Sequence, residues 1–323
     1  MQPKISAITC SHNPREDYLK QVIEALKNQT LDKQDWEYLL IDNASDDPLE
    51  QRVDLSWQPN ARHIREEKLG LTHARLRGIR EARGELLVFV DDDNVLDADF
   101  LEESLKIAER WPMLGSWSGQ TRPEFETSPP EWTRKYWGNL VIRSLDSDSW
   151  SNLPNLPETM PCGAGLCVRR AVAMHYDKLH ANGQREFFLD RAGDSLLSAG
   201  DNDLAACACD VGLGVGLFKS LGLVHLIAAS RLEEQYLLRL IEGIAYSGVV
   251  FRSFRAADLS SYEPRWTRAA ADLLRQMRMN SRERRFFHAS RRGELNAIRY
   301  LSEAKAKAKP FQPQAAIFDI PHR

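Results

Sequence analysis

Apolar positions in the first hundred residues follow two alternating periods. Residues 5–10 (ISAITC) form a short apolar run that stops at the polar turn Ser11, His12, Asn13, Pro14. Residues 17–28 then carry Leu19, Val22, Ile23 and Leu26 at the spacing of one helical face. A second apolar run, 36–41, stops at Asp42, Asn43, Ala44, Ser45 and Asp46, and a third, 61–65, precedes Gly70. The pattern predicts a helix over 72–83, closed by Gly84 as its C-terminal glycine. Residues 86–90 are apolar and β-branched and lead directly into Asp91, Asp92, Asp93 and Asn94, before another helical stretch, 99–110. Strands alternating with helices at this spacing predict an α/β fold with a mostly parallel central sheet covered by helices on both faces. Ligands of such sheets collect beyond the carboxyl ends of the strands, where the polar turns fall.

Beyond Gly115 the pattern loosens. Residues 120–161 are rich in proline, tryptophan and acid, including Trp132, Trp137 and Trp150. A strand is predicted over 163–170 with Ala164, Leu166 and Val168 on one face, followed by a helix from Ala171, a helix over 201–211 and a strand over 222–226. From Leu232 the chain reads as helical and arginine-rich over 233–251, 267–279 and 294–307. The expected organisation is a catalytic domain over 1–230, its halves meeting near 115, then a helical extension over 231–310 and a tail over 311–323.

Composition adds little, but the distribution of charge adds something. With 323 residues, 43% hydrophobic and 28% charged, the chain can bury a full core. The net charge of −3 hides an asymmetry: residues 252–310 hold 15 Lys and Arg against 6 Asp and Glu. A basic tail on an acidic body suits an anionic surface, or is simply a solvated helical face. Its partners on charge alone are anionic lipid or nucleic acid. The five cysteines include no CxxC pair, and Cys207 and Cys209 stand two apart on a predicted helix, which suits reduced structural thiols. The N-terminus lacks the layout of a signal peptide, and Lys219 and His225 interrupt the apolar stretch 211–230. The expectation is a soluble cytoplasmic protein, at most peripheral on the cytoplasmic face of the inner membrane.

The acidic run carries the first chemical signal. Three carboxylates at the end of a buried strand repel one another, and burial raises their proton affinity unless a cation neutralises them. A divalent, oxygen-preferring ion would do so and could then hold a diphosphate. A solvated turn ahead of the next helix would explain the same three residues.

The surrounding blocks narrow the choice. ISAITCSHNPR (5–15), LLIDNASD (39–46), EKLGLTHARLRGIREARGELLVFVDDD (67–93), GAGLCVRR (163–170) and GDNDL (200–204) stand in the order and spacing of family 2 glycosyltransferases, which the chain resembles over about residues 5–230. The resemblance implies a GT-A fold with a C-terminal helical extension and metal-dependent, inverting transfer of a sugar in glycan, polysaccharide or glycolipid assembly. It implies a nucleotide-sugar donor, UDP-linked before dTDP- or GDP-linked, a glycan or lipid-linked acceptor, Mn2+ or Mg2+, and no nucleic-acid partner. On the matching positions, Asp42 would recognise the base, Arg75 the ribose or phosphate, and Asp91 the nucleotide. The loop residues Thr9, His12, Asn13 and Arg15, with Asn43, Gly70 and Asp92, would complete the donor site. Asp93 would be the principal metal ligand, with His225 either a second contact to the metal or diphosphate or a structural histidine. Arg231 would add charge near the same diphosphate or cap a surface helix. Asp201 aligns with the base that deprotonates the acceptor hydroxyl, and Gly163 would face the acceptor. Trp132 and Trp137 offer ring faces on which a sugar of the acceptor could pack, one of them at most being expected to touch it, or are core residues, the reading expected of Trp132.

The chain departs from the family in several places. His12 stands where tyrosine is usual, Leu76 where asparagine is usual, and Gly200 where glutamate usually precedes the base. The last substitution leaves Asp203 open as a support for Asp201, as the base itself, or as an acid favouring a helix N-terminus. A sugar nucleotidyltransferase would need a glycine-rich phosphate loop where Ser11, His12, Asn13 and Pro14 stand. A degenerate family member, binding ligand or partner without transfer, is the other alternative.

Overall fold

Alternate residues of the central strands enter two different cores, which is the physical basis of the layered architecture. The computed structural model describes residues 2–154, 156–185, 189–191, 196–255, 259, 262 and 266–307; the expected tail over 311–323 lies outside the described residues. The strands β1 (Ile5–Ser11), β2 (Trp36–Asn43), β3 (Ala61–Glu66) and β4 (Leu86–Phe89) form one parallel block in the order β3-β2-β1-β4. Ile5, Ala7, Tyr38, Leu40 and Val88 pack on α1 (Glu16–Lys27) and α3 (Phe100–Arg110). Ile8, Leu39, Ile41, Leu87 and Phe89 face α2 (Leu71–Glu81), α4 (Arg170–Ala181) and α5 (Gly200–Asp210). A period of two with both faces apolar is what a doubly covered strand requires.

Beyond β4 the sheet becomes mixed. It continues through β8 (Leu166–Arg169), antiparallel to β4, and then β6 (Leu114–Phe125) and β9 (Gly214–Ile227), which run parallel to each other. The short strands β5 (Asn94–Leu96) and β7 (Ser149–Ser151) pair antiparallel with β9. Sequence reasoning missed β6 and found only part of β9. Two register shifts interrupt their pairing, and Gly119 lies so close to Leu221 that a Cβ would stand 2.4 Å from the Leu221 Cβ. Such irregularity erases the alternation that marks a strand.

Gly84 has a different role from the one expected. The helix ends earlier, at Glu81, with Ala82 already extended. A Cβ on Gly84 would meet the Ile5 carbonyl carbon and the Ser6 nitrogen, both at 2.6 Å, so glycine is required by the closeness of β1.

At the C-terminal end, α6 (Glu234–Ser253) packs against α8 (Ser281–Lys307). Leu237, Leu240 and Phe286 of these helices share a core with Tyr136 and Leu140 of a 3-10 segment, Glu131–Leu140. Between them, α7 (Trp266–Gln276) buries no residue. Its Asp272 pairs with Arg291 of α8 at 2.6 Å, and its Arg268 pairs with Glu294. No helix among the described residues is long and apolar enough to cross a membrane.

Candidate active site

Parallel pairing puts the carboxyl ends of β1, β2 and β4 on one edge, and Ser11 is in register with Asp42. There the chain encloses a cavity of about 310 Å3. Of the residues singled out in the sequence, His12, Asn43, Gly70, Arg75, Asp91, Asp92, Asp93, Gly163, Asp201 and His225 line it.

The acidic turn joins two distant parts of the sheet. It leaves β4 at the centre and enters β5, whose Asn94 is in register with His225 of β9. That pairing brings His225 Nε2 to 3.4 Å from Asp93 Oδ2, and Arg231 Nη2 lies 2.7 Å from the same oxygen. The His225 Nδ1 proton is donated to the Leu140 carbonyl at 3.0 Å, and its Nε2 lies 2.9 Å from Arg231 Nη1. Burial works against the charge on Asp93, but His225 and Arg231 outweigh it and hold this carboxyl below the usual carboxylate range. Its neighbours behave oppositely. Burial, with added repulsion from Asp93 and Asp201, pushes Asp91 up despite Arg75. Burial and Asp93 push Asp92 up to about 7, although Ser11 donates a hydrogen bond to it.

These residues fit a divalent cation. Asp93 and the His225 imidazole, with two further carboxylates whose burial calls for positive charge, are oxygen and nitrogen donors of the kind a divalent cation takes. Among the described residues, His175, Cys207 and Asp210 are the one trio whose ligand atoms converge within 4.8 Å. Burial pushes the Cys207 thiol up and so disfavours the thiolate that a metal would need, which makes that trio a poor metal site.

Asp201 stands in the first turn of α5, where its Oδ2 accepts the Gly163 N–H at 2.5 Å and its Oδ1 the Asn202 N–H at 2.9 Å. A Cβ on Gly163 would lie 3.0 Å from Asp201 Oδ2 and 3.1 Å from Arg75 Nη2, so both groups press on this glycine. Arg75 is buried; burial alone would lower its proton affinity, yet Asp190, Asp201 and Asp91 together raise it.

Several expected residues lie elsewhere. Asp203 points away from the cavity into a buried cluster with Arg185 and Arg255. Asp42 accepts the Ser45 and Leu49 N–H groups and pairs with Arg65 at 2.7 Å, so it holds the turn after β2 rather than facing the cavity. Its neighbour Asn43 lines the cavity and accepts the Gly70 N–H at 2.8 Å. Thr9 is buried within β1, Asn13 is tied to Asp46 and Ser45, and Arg15 pairs with Asp17 and Glu126 at the surface. Trp132 and Trp137 do not line the cavity; they pack beneath the C-terminal helices, against Phe286 and Phe125 respectively. Both border the apolar cluster that the 3-10 segment shares with α6 and α8, Trp132 on the side of α8 and Trp137 on the end of β6.

Sequence reasoning missed Asp190, which lines the cavity and holds Arg75 Nη1 at 3.1 Å. The one sequence signal was the missing side chain at Gly200.

Fold and cavity thus define an α/β protein with a polar cavity at the carboxyl edge of its parallel strands. Residues 6–170, about half of the chain, match the sequence profile described as Glycosyl transferase family 2, and the chain belongs to that family. EpsH of Bacillus subtilis, named as a glycosyltransferase, is 31% identical over 108 residues, 33% of this chain and 30% of that protein. The uncharacterized glycosyltransferase MJ1057 of Methanocaldococcus jannaschii is 29% identical over 112 residues, covering 33% and 38%. The chain thus aligns with well under half the length of either. Crystal structures of S. aureus TarS residues 1–349 with UDP and with UDP-GlcNAc superpose over 96% of this chain and 93% of that one, each with a TM-score of 0.52 and with 14% and 13% identity. At such identity the likeness is one of fold, the GT-A fold.

Proposed function

We propose that the chain transfers a sugar, with inversion, from a UDP-linked donor to the hydroxyl of a glycan or lipid-linked acceptor. The observation that carries this reading is that Asp201 and the acidic turn open onto one cavity, together with Arg75 and His225. The UDP and UDP-GlcNAc complexes of the TarS fold relative favour UDP among the candidate nucleotides. Asp93 and His225 would hold Mn2+ or Mg2+, which when bound neutralises the developing charge on the leaving diphosphate. Arg75 and Arg231 add positive charge on the donor side. Asp201, oriented by the Gly163 N–H, takes the proton of the attacking hydroxyl. Asp203 serves the fold rather than the proton transfer.

The test is thermal stability with UDP, GDP and dTDP, each with and without Mn2+ or Mg2+. A ligand at a hundredfold excess over its dissociation constant stabilises by about 2.7 kcal/mol, a shift of several degrees. The expected result is stabilisation by UDP with metal, lost in Asp93→Asn. Stabilisation by none of the three nucleotides would instead favour a degenerate binding protein.

We also assign a peripheral membrane contact to α7. Its charged side is turned inward onto α8, while Trp266, Leu273, Leu274 and Met277 stand 83, 64, 65 and 72% exposed. An exposed apolar face beside Arg275 and Arg278 suits an anionic lipid surface.

A further inference from the structure

Gly200 opens α5 without adopting a left-handed conformation, so its backbone does not require glycine. The space around it does. A Cβ at 200 would stand 2.1 Å from Asp190 Oδ2, 2.4 Å from its Cγ and 2.6 Å from its Oδ1. The carboxylate of a residue ten positions earlier therefore fills the place directly before Asp201.

That carboxylate is firmly held. It is 5% exposed, accepts the Thr72 hydroxyl at 2.8 Å, and receives Arg75 Nη1 on both oxygens at 3.2 and 3.1 Å. The backbone on either side of Asp190 is pinned as well. The Leu71 N–H donates to the Arg191 carbonyl at 3.1 Å, and the Ala199 N–H donates to the Leu189 carbonyl at 2.8 Å. Asp190 thus sits between the N-termini of α2 and α5, where helix dipoles favour negative charge. Arg75, which it grips, is also the cation facing Asp201 and Asp91, and its Nη2 meets Gly163 beside the Asp201 carboxylate.

We propose that Asp190 is a positioning residue of the transfer site: it supplies from a neighbouring loop the carboxylate that position 200 lacks, and holds Arg75 so that Asp201 stays free to accept a proton. An unrestrained Arg75 would turn to Asp201, whose carboxylate meets it at Gly163, and occupy the base. This rests on the glycosyl-transfer reading above.

The experiment follows UDP release from UDP-GlcNAc. Asp190→Ala is expected to slow release about 100-fold, the scale of a small misplacement in a catalytic site. Gly200→Ala alone should slow release too, by displacing Asp190, yet add nothing in the Asp190→Ala background, a strongly non-additive cycle. In that same background Gly200→Asp should recover about tenfold, whereas Gly200→Asn, equal in size and uncharged, should not, because charge rather than packing holds Arg75. Equal recovery by Asn and Asp, or full activity in Asp190→Ala, would overturn the proposal. The two failures are separable. A wild type that releases no UDP speaks against the function, whereas an active wild type indifferent to Asp190→Ala speaks against Asp190 alone.

Discussion

Arg185 donates from Nε to Asp203 Oδ2 at 2.7 Å, both side chains almost fully buried, and Arg255 closes the other oxygen at 2.8 Å. Two arginines on one carboxylate make Asp203 a structural anion, two residues from a base candidate with a different environment. Asp203→Asn should destabilise the fold by about 3 kcal/mol, because it leaves buried arginines uncompensated. Asp201→Asn should leave the denaturation midpoint nearly unchanged and abolish transfer. Denaturation curves and UDP release on the two variants separate the roles; the reverse pattern would exchange them.

Trp132 lies with its ring 6.2 Å from Phe286 and under the Arg282 guanidinium at 4.4 Å. Trp132→Ala should therefore lower thermal stability, by about 2 kcal/mol, and leave the KM for acceptor unchanged. A selective rise in acceptor KM would return this residue to the acceptor site.

For α7 the measurement is co-sedimentation with vesicles. Binding to phosphatidylserine-containing vesicles, weakening as salt is raised, is expected, with little binding to phosphatidylcholine alone. Leu273→Glu and Leu274→Glu should abolish it without altering the melting temperature, since both side chains are exposed. Unchanged binding would place the contact elsewhere.

His180 supplies a pH dependence. Burial lowers its proton affinity from the ordinary 6.5 to about 4. The folded state then binds the proton less readily than the unfolded one, so the contribution of His180 to stability is full above pH 6.5 and is lost as pH drops toward 4. His180→Gln should flatten the decline in urea midpoint between those values, and an unchanged slope would exclude this histidine as its source.

Much of the donor side was legible because its signals are local. Leu19, Val22, Ile23 and Leu26 repeat at helical spacing and are buried, and the apolar run into Asp91, Asp92 and Asp93 marks a strand end whatever the rest of the chain does. The chain beyond Gly115 was less legible. Trp132 and Trp137 read alike from the sequence as sugar platforms or as core, and their packing beside the cluster of α6 and α8 is visible only in the tertiary structure.

The sequence by itself determined the alternation of strands and helices, the carboxyl-edge position of the polar turns and the family, because each depends on periodicity or order along the chain. Tertiary structure alone decided that His225 meets Asp93, through the register of β5 on β9, and that Asp203 turns to Arg185 while Asp201 faces the cavity. It also brought the Asp190 carboxylate into the space that Gly200 leaves open. These partners are remote in sequence or differ only in the direction of one helical turn, and a one-dimensional pattern records neither distance nor direction.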